Sequence, residues 1–174
     1  MRPLGIILLT LLLSTSLMAQ EMSADEIDYK ANFIVKLLQY VEWPAGADKD
    51  ASGAISIGVQ GDSPLTPVLE TLAADGAKDG TPINVKTVAI GADIADCQIL
   101  FISSKETSDL AKILKAVAGK PVLTVSDCEY FARYGVMLNF YKDGDKVKFE
   151  HNRRTTKEAG LKVSSRLLKM ATII

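Results

Sequence analysis

The sequence is poor in the residues from which catalytic and metal sites are usually built. Its 174 residues include one histidine, two cysteines and one tryptophan. With His151 as the only histidine, a zinc site lacks its usual ligands, and a serine nucleophile has one candidate base. The sequence also lacks a glycine-rich phosphate loop and a dinucleotide-binding fingerprint. We therefore predict a protein that is not an enzyme and that carries no metal and no cofactor.

Neither positively nor negatively charged residues are in excess. The 20 lysines and arginines nearly balance the 21 aspartates and glutamates, and the formal net charge is −1. Nucleic-acid-binding proteins concentrate basic charge on one surface. We therefore expect no nucleic-acid partner.

A long apolar run occurs only at the amino terminus. It extends from Leu4 to Leu13, after Arg2, and small residues follow it up to Ala19. A run of about 10 residues is typical of a secretory signal and is too short to span a bilayer, which takes about 20. We predict a signal peptide over 1–19, cleaved near Ala19, and a single periplasmic domain over 20–174 with no membrane insertion.

The spacing of apolar residues predicts alternating strands and helices. The predicted helices cover 23–43, 64–74, 104–117, 127–134 and 155–174. The predicted strands cover 54–59, 83–88, 98–103 and 121–125, and a hairpin of 136–141 and 146–150 surrounds the turn Asp143-Gly144. Such alternation builds a mainly parallel sheet with helices on both faces. We predict a three-layer α/β/α fold with a mainly parallel sheet and an antiparallel C-terminal hairpin at its edge.

Ser63 admits two interpretations. It lies in the sequence Gly-Asp-Ser-Pro-Leu (61–65), which is similar to the Gly-Asp-Ser-Leu turn that carries the nucleophile of one esterase family. That family places its base in the spacing Asp-x-x-His, and Lys148 stands where the aspartate would be. Proline after a capping serine favours a helix start instead. We predict that Ser63 begins a helix, and an exported hydrolase is the competing hypothesis.

Polar residues follow the carboxyl ends of several predicted strands, where α/β sheets bind ligands. Ser63, Ser104 and Asp127 occupy such positions. The alternative function is therefore a periplasmic small-ligand binding protein with these three residues in its crevice. Capping explains the same region without a ligand, because serines 103 and 126 are each followed three residues later by glutamate.

Basic residues cluster at the start of the last predicted helix. Arg153, Arg154 and Lys157 form either a solvated face or an anion-binding site. We expect the neighbouring His151 to be half exposed at the end of the hairpin.

Cys97 begins one predicted strand, and Cys128 follows the end of the next. If these strands are parallel, the two residues lie at opposite ends of the sheet, about 15–20 Å apart. A disulfide requires Cα atoms within about 7 Å. We predict that Cys97 and Cys128 do not pair within one chain.

Several segments in order resemble the YfiR-like family of bacterial periplasmic proteins. The motifs are YKANFIVKLLQYVEWP (29–44), SIGVQGDSPL (56–65), CQILFISS (97–104), PVLTVSDCEYFARYGVMLNFY (121–141), KVKFEHN (146–152) and AGLKVSSRLLKMA (159–171). The resemblance implies a homodimeric repressor that contacts the periplasmic part of an inner-membrane diguanylate cyclase and so controls cyclic di-GMP and biofilm formation. This sequence departs from the family in having Val136 for a glycine, His151 for an aliphatic residue, and only two cysteines.

A regulator of this kind needs an exposed apolar patch with a polar rim. We predict that the hairpin and the last helix provide it. The proposed apolar residues are Met137, Leu138, Phe140, Phe149 and Leu168, and the proposed rim residues are Glu150 and Arg154. The competing interpretation is that alternate members of this set pack in the core.

Overall fold

The computed structural model describes residues 22–75, 80–89, 94, 96–103 and 108–174. The predicted signal peptide and Ser104 lie outside these ranges.

Helices and strands alternate through most of the described chain. The helices are α1 (Ala24–Leu37), α2 (Thr66–Ala74), α3 (Leu110–Val117), α4 (Phe131–Tyr134), α5 (Arg153–Glu158) and α6 (Ser165–Leu168). The strands are β1 (Val41–Glu42), β2 (Ile55–Gln60), β3 (Ile83–Val88), β4 (Ile99–Ile102), β5 (Leu123–Ser126), β6 (Leu138–Asp143), β7 (Lys146–His151), β8 (Lys162–Val163) and β9 (Thr172–Ile173).

Seven strands form the main sheet in the order β3-β2-β4-β5-β6-β7-β9. The first five strands in this order, β3-β2-β4-β5-β6, pair in parallel. Strands β6 and β7 form the antiparallel hairpin. The three-layer α/β prediction is confirmed. The hairpin is not the outermost element, however, because β9 pairs with β7 in parallel and occupies that edge.

The apolar run of β4 explains why the sheet needs helices on both faces. Ile99 and Phe101 belong to one core, and Leu100 and Ile102 belong to the other. All four side chains are buried because successive residues of a strand point to opposite faces. Helices α1 and α2 contribute to the first core and α3 to the second.

Helix α1 begins as the sequence predicts and ends earlier. The Ser23 hydroxyl oxygen accepts a hydrogen bond from the Glu26 backbone N–H at 3.2 Å. The helix stops at Leu37, and the residues Val41–Glu42 form β1, which pairs with β8 in a separate two-stranded sheet. Pro44 therefore does not set the helix end.

The single helix predicted over 155–174 is wrong. Helix α5 ends before Gly160, whose φ of +73° is unfavourable for residues with a Cβ atom. Strand β8 follows, and the Ser164 hydroxyl oxygen then accepts a hydrogen bond from Leu167 N–H to begin α6. Leu161, which follows α5, and Leu167 of α6 are both buried, so this segment packs its apolar side chains without forming one continuous helix.

Helix α4 is also shorter than the predicted 127–134. Tyr130 precedes it with a φ of +67°, the only non-glycine residue of the described chain in the left-handed region. The helix therefore starts at Phe131 rather than at Asp127.

Candidate functional site

A buried ion-pair network joins α1 to the carboxyl end of the sheet. The Lys30 Nζ lies 2.7 Å from Glu26 Oε1 and 2.9 Å from Asp127 Oδ2, and all three side chains are at most 7% exposed. Lys142 of β6 reaches Glu26 Oε2 at 2.6 Å. Although burial alone raises the pKa of Glu26, hydrogen bonds and charges from Lys142 and Lys30 hold it below its ordinary value. Asp127, predicted to line a ligand crevice, is thus engaged by Lys30.

Ser63 is buried and takes part in a local turn. Its hydroxyl oxygen accepts a hydrogen bond from Leu65 N–H at 3.2 Å, and its carbonyl oxygen accepts one from Thr66 N–H at 3.2 Å. Helix α2 starts at Thr66, two residues after the predicted start. Ser63 therefore shapes the approach to the helix without being its N-cap residue.

The structure does not assemble a serine hydrolase from Ser63 and His151. Ser63 follows β2 and His151 ends β7, and these strands are four places apart in the sheet. Four strand spacings correspond to about 19 Å. A base must lie within hydrogen-bonding reach of the nucleophile, so this pair is excluded.

Two other serines at the carboxyl ends of strands are also engaged. The Ser103 hydroxyl donates to the Asp62 carbonyl oxygen at 2.9 Å. The Ser126 hydroxyl donates to the Ile102 carbonyl oxygen at 2.8 Å and accepts from Cys128 N–H at 3.2 Å. These hydroxyls join neighbouring strands and loops, so the capping-box assignment for Ser126 is wrong.

Most of the predicted partner surface lies in the core. Four of its apolar side chains are at most 5% exposed and pack in the core that contains α1, namely Met137, Leu138, Phe140 and Phe149. Phe33 of α1 lies with its ring centroid 5.6 Å from that of Phe140 and 4.8 Å from that of Phe149. The prediction that these four residues are exposed is wrong, because α1 covers this face of the hairpin.

The other three predicted partner residues keep some exposure. Glu150 and Leu168 are half-buried, and Arg154 is exposed. Arg154 forms an ion pair with Glu158 at 2.9 Å.

The large apolar side chains that are exposed are not the ones that the sequence predicted. Three of them lie in or beside β9 at the sheet edge: Met170 is 49% exposed, Ile173 47% and Ile174 41%. Tyr130 precedes α4 and is 52% exposed, and Tyr134 is the last residue of α4 and is 70% exposed. Sequence spacing missed the first group because it was assigned to one long helix.

The two cysteines lie at opposite ends of the sheet. Strands β4 and β5 are parallel, with Ile99 opposite Leu123, so the topological premise of the cysteine prediction is confirmed. Cys97 is buried before β4, Cys128 is half-buried after β5, and no disulfide joins the two. Burial and the charge of Asp127 raise the pKa of the Cys128 thiol.

One cavity of the described chain opens at the amino ends of the strands. Its volume is about 570 Å³, and it lies at the edge opposite to the predicted crevice. Lys49 and Lys86 bring positive charge, Asp50 and Asp96 bring negative charge, and Gln98 also lines it. Hydrogen bonds to Ser52 and Ser56 lower the pKa of Asp50 to about 2, so this carboxylate is held by its own loop.

A smaller cavity of about 250 Å³ lies beside the end of β7, and we call it the His151 cavity. Its lining residues are His151, Arg153, Thr156, Lys157, Leu161, Lys162, Val163 and Leu168. His151 is 2% exposed rather than half exposed as expected, because β9 and α5 enclose the end of the hairpin. Burial and the charge of Arg153 lower the pKa of His151.

The described residues contain no cluster of three or more histidine, cysteine, aspartate or glutamate side chains arranged to hold a metal ion. Within the same ranges no helix is long and apolar enough to cross a membrane.

The family model described as YfiR/HmsC-like matches residues 27–172. The chain belongs to the YfiR/HmsC-like family. This match covers Lys30, Asp127 and Lys142 of the ion-pair network and every strand of the fold except the last residue of β9. The family is one of periplasmic regulators.

A solved structure supports the fold of this YfiR/HmsC-like protein. It is the crystal structure of a conserved domain protein from Vibrio cholerae O1 biovar El Tor, with a TM-score of 0.59 and 13% sequence identity. The similarity covers 84% of this chain and 59% of the Vibrio chain. No protein of curated function matches the sequence. At this identity the likeness concerns the fold alone.

Proposed function

We propose that this protein represses an inner-membrane diguanylate cyclase by binding the periplasmic region of that enzyme, and so controls cyclic di-GMP and biofilm formation. The observation that carries the proposal is membership of the YfiR/HmsC-like family over nearly the whole described chain. The separation of Ser63 from His151 agrees with a role that depends on binding rather than on catalysis.

The repression would be conformational capture. A repressor that binds the inactive form of the cyclase better than the active form shifts the equilibrium by that difference in affinity. A signal that removes the repressor, or changes its shape, releases the enzyme.

The contact surface that we propose is centred on β9. This strand is the edge of the sheet, and an edge strand presents unpaired backbone groups to a partner. Met170, Ile173 and Ile174 supply exposed apolar area there. Glu150 pairs with Thr172 of β9, so the predicted rim residue Glu150 lies next to this surface, as does Leu168 at the end of α6.

Deletion of the gene in its native host tests the proposal. We expect cyclic di-GMP to rise and biofilm to increase, and wild-type protein supplied in trans to reverse both changes. Unchanged cyclic di-GMP in a strain that expresses the cyclase would refute repression.

Point variants test the surface. Ile173→Asp places a charge in the apolar part of the surface, and it should reproduce the deletion phenotype while the protein remains at normal abundance in the periplasm. Tyr134→Ser is the matched control, because Tyr134 is an exposed large side chain on a different element. Equal derepression by both variants, or by neither, would count against the β9 surface.

We also propose a homodimer, and light scattering of the purified protein across a range of concentrations tests it. A constant monomer mass would contradict the dimer and leave the repression experiment unaffected.

Small-ligand binding is the second candidate function, and the cleft of about 570 Å³ favours it. Its lining residues carry charges of both signs, which suits a zwitterionic ligand. This cleft differs from the crevice that the sequence predicted from Ser63, Ser104 and Asp127. A thermal-shift screen of amino acids tests this candidate, with Lys86→Ala as the variant that should lose the response.

A further inference from the structure

A methionine side chain lies against the buried ammonium group at the start of α1. Met22, Glu26 and Lys30 follow one another at intervals of four residues, the spacing that brings side chains together along a helix. Lys30 is 4% exposed, whereas Met22, which precedes the N-cap residue Ser23, is half-buried. The Met22 side chain thus connects the ion-pair network with the surface of the protein.

The Lys30 ammonium group has three protons to donate. Two of them are directed at carboxylates, Glu26 Oε1 at 2.7 Å and Asp127 Oδ2 at 2.9 Å. The third is donated to Met22 Sδ at 3.0 Å. A thioether sulfur is only a weak acceptor, whereas a buried cation requires well-formed hydrogen bonds to offset its loss of hydration. The third proton is therefore the poorly satisfied one.

Oxidation of the thioether supplies the acceptor that is missing. When hydrogen peroxide reacts with a methionine, an S–O bond forms, the O–O bond breaks, sulfur is oxidised by two electrons and the peroxide is reduced to water. The product is a sulfoxide, which is polar and carries an oxygen that accepts hydrogen bonds. The unbranched methionine side chain has three rotatable bonds, so this oxygen can turn towards Lys30.

We propose that Met22 is a peroxide-sensitive modification site, at which the sulfoxide oxygen accepts a hydrogen bond from Lys30 Nζ and strengthens the attachment of α1 to the loop after β5. Asp127 of that loop shares the same ammonium group. The modification is reversible, because methionine sulfoxide reductases restore the thioether. It is independent of the regulatory function, since neither the reaction nor its effect on stability requires a cyclase.

The other methionines of the predicted mature chain provide an internal comparison. They are Met137, which is 5% exposed in the core, and Met170, which is 49% exposed. Of the three, Met22 is the one that accepts a hydrogen bond from Lys30. Exposure therefore distinguishes the three methionines in reactivity, and the ammonium group distinguishes them in the consequence of oxidation.

Peptide mapping by mass spectrometry after treatment with hydrogen peroxide at pH 7.5 tests the reaction. We expect Met170 and Met22 to be oxidised and Met137 to react at least about tenfold more slowly, because the rate follows the access of the oxidant. A Met22 that is as unreactive as Met137 would overturn the proposal.

Thermal unfolding before and after peroxide treatment tests the new hydrogen bond. The comparison is between the wild type and Met22→Leu, in which position 22 cannot be oxidised while Met170 still reacts. Relative to this variant, the wild type should gain about 2–4 °C in its unfolding midpoint, as expected for one added hydrogen bond to a charged group in a chain of this size. Equal changes in the two proteins, or a relative loss in the wild type, would contradict the proposal.

Reduction and a second substitution identify the origin of the gain. Methionine sulfoxide reductases A and B together should return the wild-type midpoint to its untreated value. Without peroxide, Met22→Gln should unfold at a higher temperature than Met22→Leu, because its amide oxygen can accept from Lys30. A gain that persists in the Lys30→Met background would show that Lys30 is not the donor. If Lys30→Met fails to fold, the comparison of the glutamine and leucine variants decides, and equal midpoints would count against the hydrogen bond.

Discussion

At the scale of single residues, the most unusual feature is the buried ammonium group of Lys30. It is held by Glu26 and Asp127, and Glu26 is held in turn by Lys142. Taking charges out of water is unfavourable unless each has a partner, so the four groups depend on one another. This network connects α1 to β6 and to the loop after β5.

Lys30→Met should therefore destabilise the protein strongly. It leaves Asp127 buried without its cation, and breaking a buried pair on one side typically costs about 3–5 kcal/mol. Urea unfolding followed by circular dichroism measures the loss. Lys112→Met is the matched control, because Lys112 pairs with Asp109 on an exposed helix surface and should contribute little. Similar midpoints for the two variants would contradict the assigned role of Lys30.

The lowered pKa of the buried His151 side chain should make the stability of the protein depend on pH. Its folded-state pKa lies below its value of about 6.5 in the unfolded chain, so the unfolded chain takes up the proton first as the pH falls. Stability is then highest above pH 6.5 and declines below it, by up to about 1.4 kcal/mol per pH unit, until the folded protein also binds the proton.

Because the sequence has one histidine, His151→Gln isolates this effect. The difference in unfolding free energy between pH 7.5 and pH 5.5 should be smaller in the variant than in the wild type. The same pH dependence in both proteins would assign the decline to carboxylates.

At the scale of secondary-structure elements, β2 has a glycine, Gly58, in its middle because side chains of neighbouring residues fill the space that a Cβ atom would need. A Cβ atom on Gly58 would lie 2.6 Å from Cys97 Sγ and 3.3 Å from side-chain atoms of Leu100 and Val88. The glycine is thus a packing requirement of the sheet rather than a flexible point.

Gly58→Ala should cost about 1–3 kcal/mol through overpacking. The double variant with Cys97→Ala removes the sulfur atom and should recover part of that cost, although the contacts with Leu100 and Val88 remain. Thermal unfolding of the two single variants and the double variant measures the coupling. Additive effects would show that Cys97 does not limit the space at Gly58.

The end of α5 depends on a second glycine for a different reason. A Cβ atom on Gly160 would meet only Pro44 Cγ at 3.4 Å, so space is available, but its φ is +73°. Gly160→Ala should cost about 1–2 kcal/mol. Gly160→Asn should cost less, because asparagine tolerates this conformation better. Equal stabilities for both variants and the wild type would show that the backbone relaxes there.

At the scale of the whole molecule, the parallel arrangement of β4 and β5 separates the two cysteines. We expect titration of the unfolded, unreduced protein to detect two thiols per chain, with a monomer mass on a non-reducing gel. Zero thiols in a monomer would require the ends of the sheet to meet and would refute the topology. One or no thiol in a covalent dimer would instead locate a disulfide between chains.

The sequence by itself determined the class of fold and the family. Periodicity distinguishes strands from helices because it reports which side chains each element buries, and alternating elements of this length pack in few ways. The positions along the chain of the four strands β2 to β5, and the start of α1 after Ser23, followed from local signals. The resemblance over 29–171 led to the same family that the full comparison established.

Only the tertiary structure decided which surfaces are free. Phe140 and Phe149 have the same local pattern whether a helix covers them or not, and α1, more than 100 residues earlier in the chain, is what buries them. The division of the predicted last helix depends on β8 pairing with β1 and β9 pairing with β7, which are contacts between distant residues. The His151 cavity, by contrast, is lined by one continuous segment, 151–168, and what the tertiary structure decided there is how that segment is divided into β7, α5, β8 and α6.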